Sequence, residues 1–289
     1  MGAKTLTLDD YRRLFPATSR ALALHDALRP LLAVSPTLSG PLPSLDTVAI
    51  EQAWQSGRPI VDQLSPGSSA EPLRQILRQV TATMQQHLTT LGPLDVLGDS
   101  QRLGDADLIE LANGVSNSEP AALEKIGRLT GANPTGAAFA MAFSMSVFYH
   151  AICRLLPTDL DLSMWQRQTC PVCAGTPSIA RLNAQGERVA YCHRCSAQWH
   201  LPAELCGACG STDPDSRLKL ALPGHPARWA EVCRNCRQSL KVIDESQIGA
   251  VCDLYFEDVV TLALDEMARD AAATLETPKP AEEPALSAR

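Results

Sequence analysis

Eight of the ten cysteines in this sequence of 289 residues form four Cys-x-x-Cys pairs. The pairs are Cys170/Cys173, Cys192/Cys195, Cys206/Cys209 and Cys233/Cys236. Two thiolates separated by two residues can bind one tetrahedral ion from a tight turn. A single pair could also be a redox dithiol, but four neighbouring pairs indicate metal binding. Eight thiolates complete two four-sulfur sites.

The order in which the pairs combine is open from sequence. Pairing in chain order joins the first pair to the second across 18 residues and the third to the fourth across 23, lengths that suit one hairpin each. Ten residues separate Cys195 from Cys206, which suits a linker between two modules. An interleaved arrangement, first with third and second with fourth, is the alternative.

Four-sulfur sites select zinc or a single iron ion. Four protein ligands leave no coordination position for water, so we expect structural rather than catalytic metal. His193 and His200 flank the pairs, and we expect them outside the ligand set. We find no phosphate loop, dinucleotide fingerprint or local Ser-His-Asp signal, and we predict no enzyme.

Charge is distributed unevenly along the chain, whose formal net charge is −7. Residues 1–165 carry −4, residues 166–245 carry +3 and residues 246–289 carry −6. A basic excess this small is not typical of a nucleic-acid interface. Closely spaced cysteine pairs without a secretory signal indicate a reducing compartment.

Two segments resemble targeting or membrane signals. Arg12-Arg13-Leu14-Phe15 resembles the core of a twin-arginine signal, but His25, Asp26 and Arg29 interrupt the stretch that follows, so we predict no export. Residues 129–153 carry no formal charge and are long enough to span a bilayer. Their glycine, asparagine, proline, serine and histidine residues favour a buried core helix, with no membrane insertion.

The hydrophobic pattern of the first 165 residues predicts helices, which would support the metal sites. Predicted helices start at Thr18 or Ser19 with strain at Pro30, run from Asp46 to Gly57, and cover 71–91, 105–113, 119–130 and 135–156. Residues 35–45 read as a loop. His150 and Cys153 lie one turn apart in the last helix. We predict that they pack in the core and that neither Cys153 nor Cys252 binds metal.

Short alternating runs, such as 188–191 and 229–232, lead into the second pair of each module and predict β-ribbons. The fold class is therefore α+β and multidomain. A helical domain at 1–165 precedes two tandem rubredoxin-like or zinc-ribbon modules at 166–203 and 204–245. A C-terminal helix at 246–276 and a disordered tail at 277–289 follow.

With the cysteine pairs placed, the chain resembles the formate dehydrogenase accessory (FdhE-type) proteins. Five stretches carry the resemblance: Cys170-Pro171-Val172-Cys173 with Pro177, Tyr191–Cys195 with Trp199-His200 and Cys206–Cys209, Glu231–Cys236 with Leu240-Lys241, Asp258–Asp265, and Gly57-Arg58-Pro59. The sequence departs from the family pattern at three positions, with Ala203 in place of an arginine, Arg237 in place of a glycine and Ser239 in place of a tyrosine.

The resemblance implies a cytoplasmic, non-catalytic maturation factor. It would bind the catalytic subunit of a respiratory molybdenum formate dehydrogenase before export, and it would hold two iron ions, with zinc as the alternative. Arg194, Trp199, Arg234 and Arg237 are our candidate contacts with that partner. The sequence leaves the oligomeric state open.

Two other classes of protein compete with this interpretation. A zinc-ribbon nucleic-acid binder would need more basic and aromatic residues around the ribbons. A rubredoxin-like electron carrier or thiol-redox protein would use iron or exposed dithiols, and redox activity of the purified protein would identify it.

Overall fold

The computed structural model describes residues 4–36, 46–63, 70–88, 92–117 and 119–275. The predicted tail at 277–289 and most of the predicted loop at 35–45 lie outside these residues.

Helices make up the first half of the described chain. They are α1 (Leu8–Leu14), α2 (Ser19–Leu28), α3 (Thr47–Gln55), α4 (Ala70–His87), α5 (Asp105–Ser116), α6 (Pro120–Thr130) and α7 (Pro134–Arg154). Sequence signals explain several boundaries. The Asp46 carboxylate accepts a hydrogen bond from Ala49 N and starts α3, and Gly131 ends α6 with a φ of 67°. Pro30 ends regular α-helix, and the chain continues as a 3-10 turn over Arg29–Ala33.

The predicted end of the helix over 105–113 is wrong. The helix α5 continues through Gly114 to Ser116. A Cβ atom on Gly114 would lie 2.9 Å from the Cβ of Ala122. Gly114 therefore lets α5 and α6 approach closely, and its role is packing rather than termination.

The apolar helix α7 is long and hydrophobic enough to cross a membrane by length and composition. Inside this fold, 67% of its most apolar window is buried. The hydroxyls of Ser144 and Ser146 donate hydrogen bonds to the backbone carbonyls of Ala140 and Ala142, one turn earlier. These features agree with the predicted core helix.

The two cysteine modules form a single sheet. The first contributes β1 (Ile179–Leu182), β2 (Arg188–Tyr191) and β3 (Gln198–His200), and the second contributes β4 (Arg217–Leu222), β5 (His225–Cys233) and β6 (Ser239–Asp244). The strand order is β3-β2-β1-β6-β5-β4. Neighbouring strands are antiparallel within each module, and β1 pairs in parallel with β6 from Ile179–Lys241 to Leu182–Asp244. The modules are thus joined edge to edge.

Three helices follow the sheet, where we predicted one. They are α8 (Glu245–Ile248), α9 (Leu254–Val260) and α10 (Leu262–Thr274). Gly249 ends α8 with a φ of 72°, and Val251 then pairs with Thr5 near the N-terminus. This bridge needs extended backbone and separates α8 from α9.

Three main hydrophobic clusters hold these layers together. The first lies within the helices, from Leu24 to Val147. The second packs Ile50, Trp54 and Ile152 against the first cysteine module. The third packs α1 and α2 against the second module and the C-terminal helices, where Arg228 and Glu257 form a buried bidentate ion pair at 2.8 and 2.7 Å. The helical part and the ribbons therefore share two of their cores.

Candidate metal centres

Each module places its two cysteine pairs at equivalent points of its fold. One pair precedes the first strand of the module, and the other lies in the turn between the second and third strands. The turns repeat one backbone pattern. The residue after the second cysteine donates to the carbonyl of the first at 2.8–3.1 Å, in Ala174→Cys170, Ser196→Cys192, Gly210→Cys206 and Arg237→Cys233.

The same four residues adopt left-handed backbone. Their φ values are 59° for Ala174, 62° for Ser196, 72° for Gly210 and 60° for Arg237. This conformation reverses the chain immediately after the second cysteine and returns its backbone toward the first. Only one of the four is glycine, so the other three hold a conformation that L-residues disfavour.

The turns bring the eight thiols into two groups of four. Cys170, Cys173, Cys192 and Cys195 form the first, and Cys206, Cys209, Cys233 and Cys236 form the second. Within each group all sulfur atoms lie within 4.8 Å of one another. The chain-order grouping is the one observed, and the interleaved alternative is wrong.

Sulfur separations in the second group match those around a tetrahedral ion, and those in the first group are slightly shorter. A Zn–S bond of about 2.3 Å implies S···S distances of about 3.8 Å. In the second group Cys206–Cys236 is 3.8 Å and Cys209–Cys233 is 3.9 Å. In the first group Cys170–Cys195 and Cys173–Cys192 are both 3.4 Å. These are contacts between free thiols and far exceed a disulfide bond.

Burial differs between the two groups. All four cysteines of the first are buried, whereas Cys209 of the second is exposed and Cys236 is half-buried. Burial raises the pKa of Cys170 and Cys195 well above that of a free thiol, while hydrogen bonds with Cys170 and Cys192 lower the pKa of Cys173. Four thiolates at this depth need a cation among them, which is the condition that a metal ion meets.

Backbone amides add to both groups. Val172 N donates to Cys170 Sγ at 3.4 Å, and Ala208 N donates to Cys206 Sγ at 3.5 Å. Such bonds spread thiolate charge around a bound metal. The donor set therefore fits either zinc or iron, with four sulfur ligands at each site.

Cys153 lies nearer to the first group than the sequence indicated. It packs against the cluster that contains the four cysteines, and a hydrogen bond with Cys195 lowers the pKa of its thiol. The first group already has four sulfurs, so Cys153 is a neighbour of the site. Cys252 is buried in a different cluster, where its thiol faces the carbonyl of Ala250 at 3.8 Å.

One predicted partner contact is wrong. Trp199 is 1% exposed, and its indole Nε1 donates to Arg167 O at 3.1 Å. It packs beside the first cysteine group instead of facing a partner. Arg194 lies 4.6 Å over the Tyr149 ring, whereas Arg234 and Arg237 are exposed beside the second group.

The acidic C-terminal stretch singled out by the sequence contacts the sheet. Lys241 of β6 is buried, and its Nζ lies 2.6 Å from Asp258 and 2.8 Å from Asp265. Burial acts to lower the pKa of Lys241, but the two carboxylates outweigh burial and raise it. Lys241 thus binds α9 and α10 to the strand that joins the two modules.

Helices packed on a single sheet with two four-cysteine groups define the class: a helical protein with tandem four-sulfur metal ribbons. No family model matches the chain. It is 25% identical over 217 residues to a protein named FdhE homologue from Erwinia tasmaniensis, covering 75% of this chain and 67% of that protein. The homologue from Serratia proteamaculans is 27% identical over 241 residues, 78% of this chain and 69% of that one. A match to the Actinobacillus pleuropneumoniae homologue covers only 40% of that protein.

The fold is similar to the crystal structure of the FdhE protein from Pseudomonas aeruginosa. The TM-score is 0.57 at 20% identity, over 96% of this chain and 97% of that chain. Taken together with the relatives, this similarity confirms the resemblance found in the sequence. Over most of its length the chain is similar to FdhE proteins in sequence and in fold.

Proposed function

We propose that this protein is a non-catalytic accessory factor in the cytoplasm that binds the catalytic subunit of a respiratory molybdenum formate dehydrogenase and is needed for its assembly into active enzyme. The observation that supports this most is the match to FdhE proteins along most of the chain, with eight cysteines gathered into two groups. Closed four-sulfur sites stabilise a fold and offer no position for substrate.

In this proposal the eight paired cysteines ligate two iron ions, one per module, with zinc as the alternative. Anaerobic purification and elemental analysis should give two ions per chain. The variant Cys170→Ser/Cys173→Ser and the variant Cys206→Ser/Cys209→Ser should each retain one. Cys153→Ser is the matched control and should retain two. One ion in the wild type, or loss of both ions from one paired variant, would contradict two independent sites.

Client binding is tested in the host. Deleting the protein should lower respiratory formate dehydrogenase activity, and a tagged copy should recover the catalytic subunit of that enzyme. The paired variant Cys206→Ser/Cys209→Ser should recover less, because losing the metal disorders the ribbon that carries Arg234 and Arg237. Cys252→Ser, at a buried cysteine outside both groups, is the control. Full activity in the deletion strain would refute the proposal.

A rubredoxin-like electron carrier is the second candidate. Cys209 is exposed, which places one sulfur of the second group at the surface, where electrons could pass to a partner. Reversible one-electron reduction of the iron-loaded protein, together with unaltered formate dehydrogenase activity in the deletion strain, would favour this candidate over the first.

A further inference from the structure

A cavity of about 490 Å³ lies between α7, the 3-10 turn after α2, the first cysteine module and the start of α9. We call it the arginine cavity, since Arg29, Arg154 and Arg181 contribute to its wall together with His150, Gln198 and Asp253. Its volume falls within the range of small-molecule sites, about 300–1,000 Å³. Neither the metal sites nor the proposed client contacts account for it.

Positive charge exceeds negative charge around this cavity. Arg29 Nη1 lies 2.8 Å from Asp253, and Arg181 Nη1 lies 3.6 Å from Glu245, which does not line the cavity. Arg154 instead donates to the carbonyls of Leu32 and Val34 at 2.6 and 2.7 Å. Within the described residues no carboxylate lies within ion-pair distance of Arg154, so one guanidinium charge is uncompensated.

His150 adds no charge to this balance at neutral pH. Burial lowers the pKa of the His150 ring to about 4. A hydrogen bond with the backbone of His193 raises this pKa but offsets only part of the effect of burial. The excess charge therefore belongs to the arginines, whose guanidinium groups suit oxygen anions because they offer several donors in one plane.

Several buried polar atoms of residues in the same wall form no hydrogen bond within the described residues. In the described part of the chain, Arg181 Nε, His150 Nε2 and Gln198 Oε1 are buried without a hydrogen-bond partner. Buried polar atoms are normally bonded, so three exceptions around one cavity call for a ligand or a small rearrangement on binding. Arg181 Nε is a donor. Neutral His150 and the Gln198 carbonyl are acceptors.

We propose that the arginine cavity binds a small organic anion, a phosphate or carboxylate compound that also carries a hydroxyl donor. Its anionic oxygens would bind Arg154 and Arg181, and its hydroxyl would face His150 or Gln198. Because the wall combines the helical part, the first module and the C-terminal helices, such a ligand would hold these three parts together and stabilise the fold. This site is independent of the proposed client.

Calorimetric titration of the metal-loaded, full-length protein tests the proposal, with pyrophosphate and citrate as separate probes. Sodium chloride at matched ionic strength is the control for general screening. We expect saturable binding of one anion per chain, with a Kd below about 1 mM. Pyrophosphate binding alone would identify a phosphate site, and citrate binding alone a carboxylate site. Absence of saturable binding by both probes would overturn the proposal.

Variants then locate the site. Arg181→Gln should weaken binding about tenfold or more, since a charge-assisted hydrogen bond is lost. Arg154→Gln, at an exposed arginine of the same wall, provides a second variant if Arg181→Gln does not fold by circular dichroism. Arg234→Gln, at an exposed arginine that does not line the cavity, should bind as the wild type does. Unchanged affinity in a folded Arg181→Gln or Arg154→Gln protein would refute this location.

Discussion

The residue that follows each cysteine pair has left-handed backbone, so the identity of this one residue affects the stability of the turn. Ala174, Ser196 and Arg237 adopt this conformation without being glycine, and Arg237 stands where the family pattern has glycine. A non-glycine residue pays a steric cost there because its Cβ approaches the following carbonyl. The hydrogen bond back to the first cysteine, and the metal that the turn would hold, maintain the conformation.

Replacing Ala174 by glycine should therefore stabilise the metal-loaded protein. Relief of the left-handed strain exceeds the extra entropy of glycine in the unfolded chain, and we expect a gain of about 0.5–1 kcal/mol in the free energy of unfolding. Urea unfolding followed by circular dichroism measures it. Ala203→Gly, at an exposed alanine with negative φ, is the control and should give no gain. A loss of stability in Ala174→Gly would show that the turn tolerates alanine without strain.

Packing between elements decides how far the loss of one metal spreads. The helical cluster from Leu24 to Val147 excludes the cysteine modules. In contrast, α3 and the turn after it bind the first module directly. Trp54 Nε1 donates to Pro171 O at 3.2 Å, and Ile60 N donates to the same carbonyl at 2.9 Å. The proposed boundary at residue 165 therefore separates α4 to α6, and α7 as far as Val147, from the ribbons better than it separates α3. The end of α7 also packs against the first module, through Ile152.

The variant Cys170→Ser/Cys173→Ser tests this boundary. We expect β1 to β3 and α3 to lose amide protection in hydrogen exchange, because their shared core depends on the first metal site. Helices α4 and α5, and α7 as far as Val147, should keep their protection, because their hydrophobic cluster excludes the cysteine modules. Cys153→Ser should leave both regions protected. Collapse of protection throughout α4 and α7 would show that residues 1–165 do not form a separate domain.

At the scale of the whole molecule, His25 joins the helical part to the C-terminal helices. Its Nδ1 lies 3.1 Å from the Tyr255 hydroxyl, and its ring meets Phe139 edge-on at 5.7 Å. Burial lowers the pKa of His25 below 6.5, and the nearby Asp258 offsets only part of this effect. Folding therefore favours the neutral ring.

Acidification should weaken this junction. Because the folded pKa of His25 is below the unfolded value, its contribution to stability is complete above pH 6.5 and is lost as pH falls below it, by at most about 1.4 kcal/mol per pH unit. His25→Phe should make the stability decline between pH 7.5 and 5.5 shallower. The Tyr255 hydroxyl would keep its bond to the carbonyl of residue 25.

Urea unfolding at several pH values, with metal content measured at each, gives this comparison. Metal loss at low pH would affect wild type and variant alike, so the difference between their slopes reports His25. His200→Gln, at an exposed histidine, should follow the wild type. Equal slopes for His25→Phe and wild type would show that other groups cause the decline.

The sequence by itself determined the α+β class, the helical first half, the two ribbon modules and the eight cysteines. These are local properties: a Cys-x-x-Cys pair, a helix cap and an apolar stripe each act within a few residues. The resemblance to FdhE-type proteins also singled out the Asp258–Asp265 stretch, but it did not predict that Asp258 and Asp265 form ion pairs with Lys241.

Only the tertiary structure decided how these parts combine. In the structure the cysteines group in chain order, and the parallel β1–β6 pair joins the two modules. Gly114 lies inside a helix, and Trp199 is buried. The tertiary structure also brought Arg29, Arg154 and Arg181 from distant parts of the chain to one cavity. Each outcome depends on contacts between residues far apart in sequence, whose free energy no local pattern encodes.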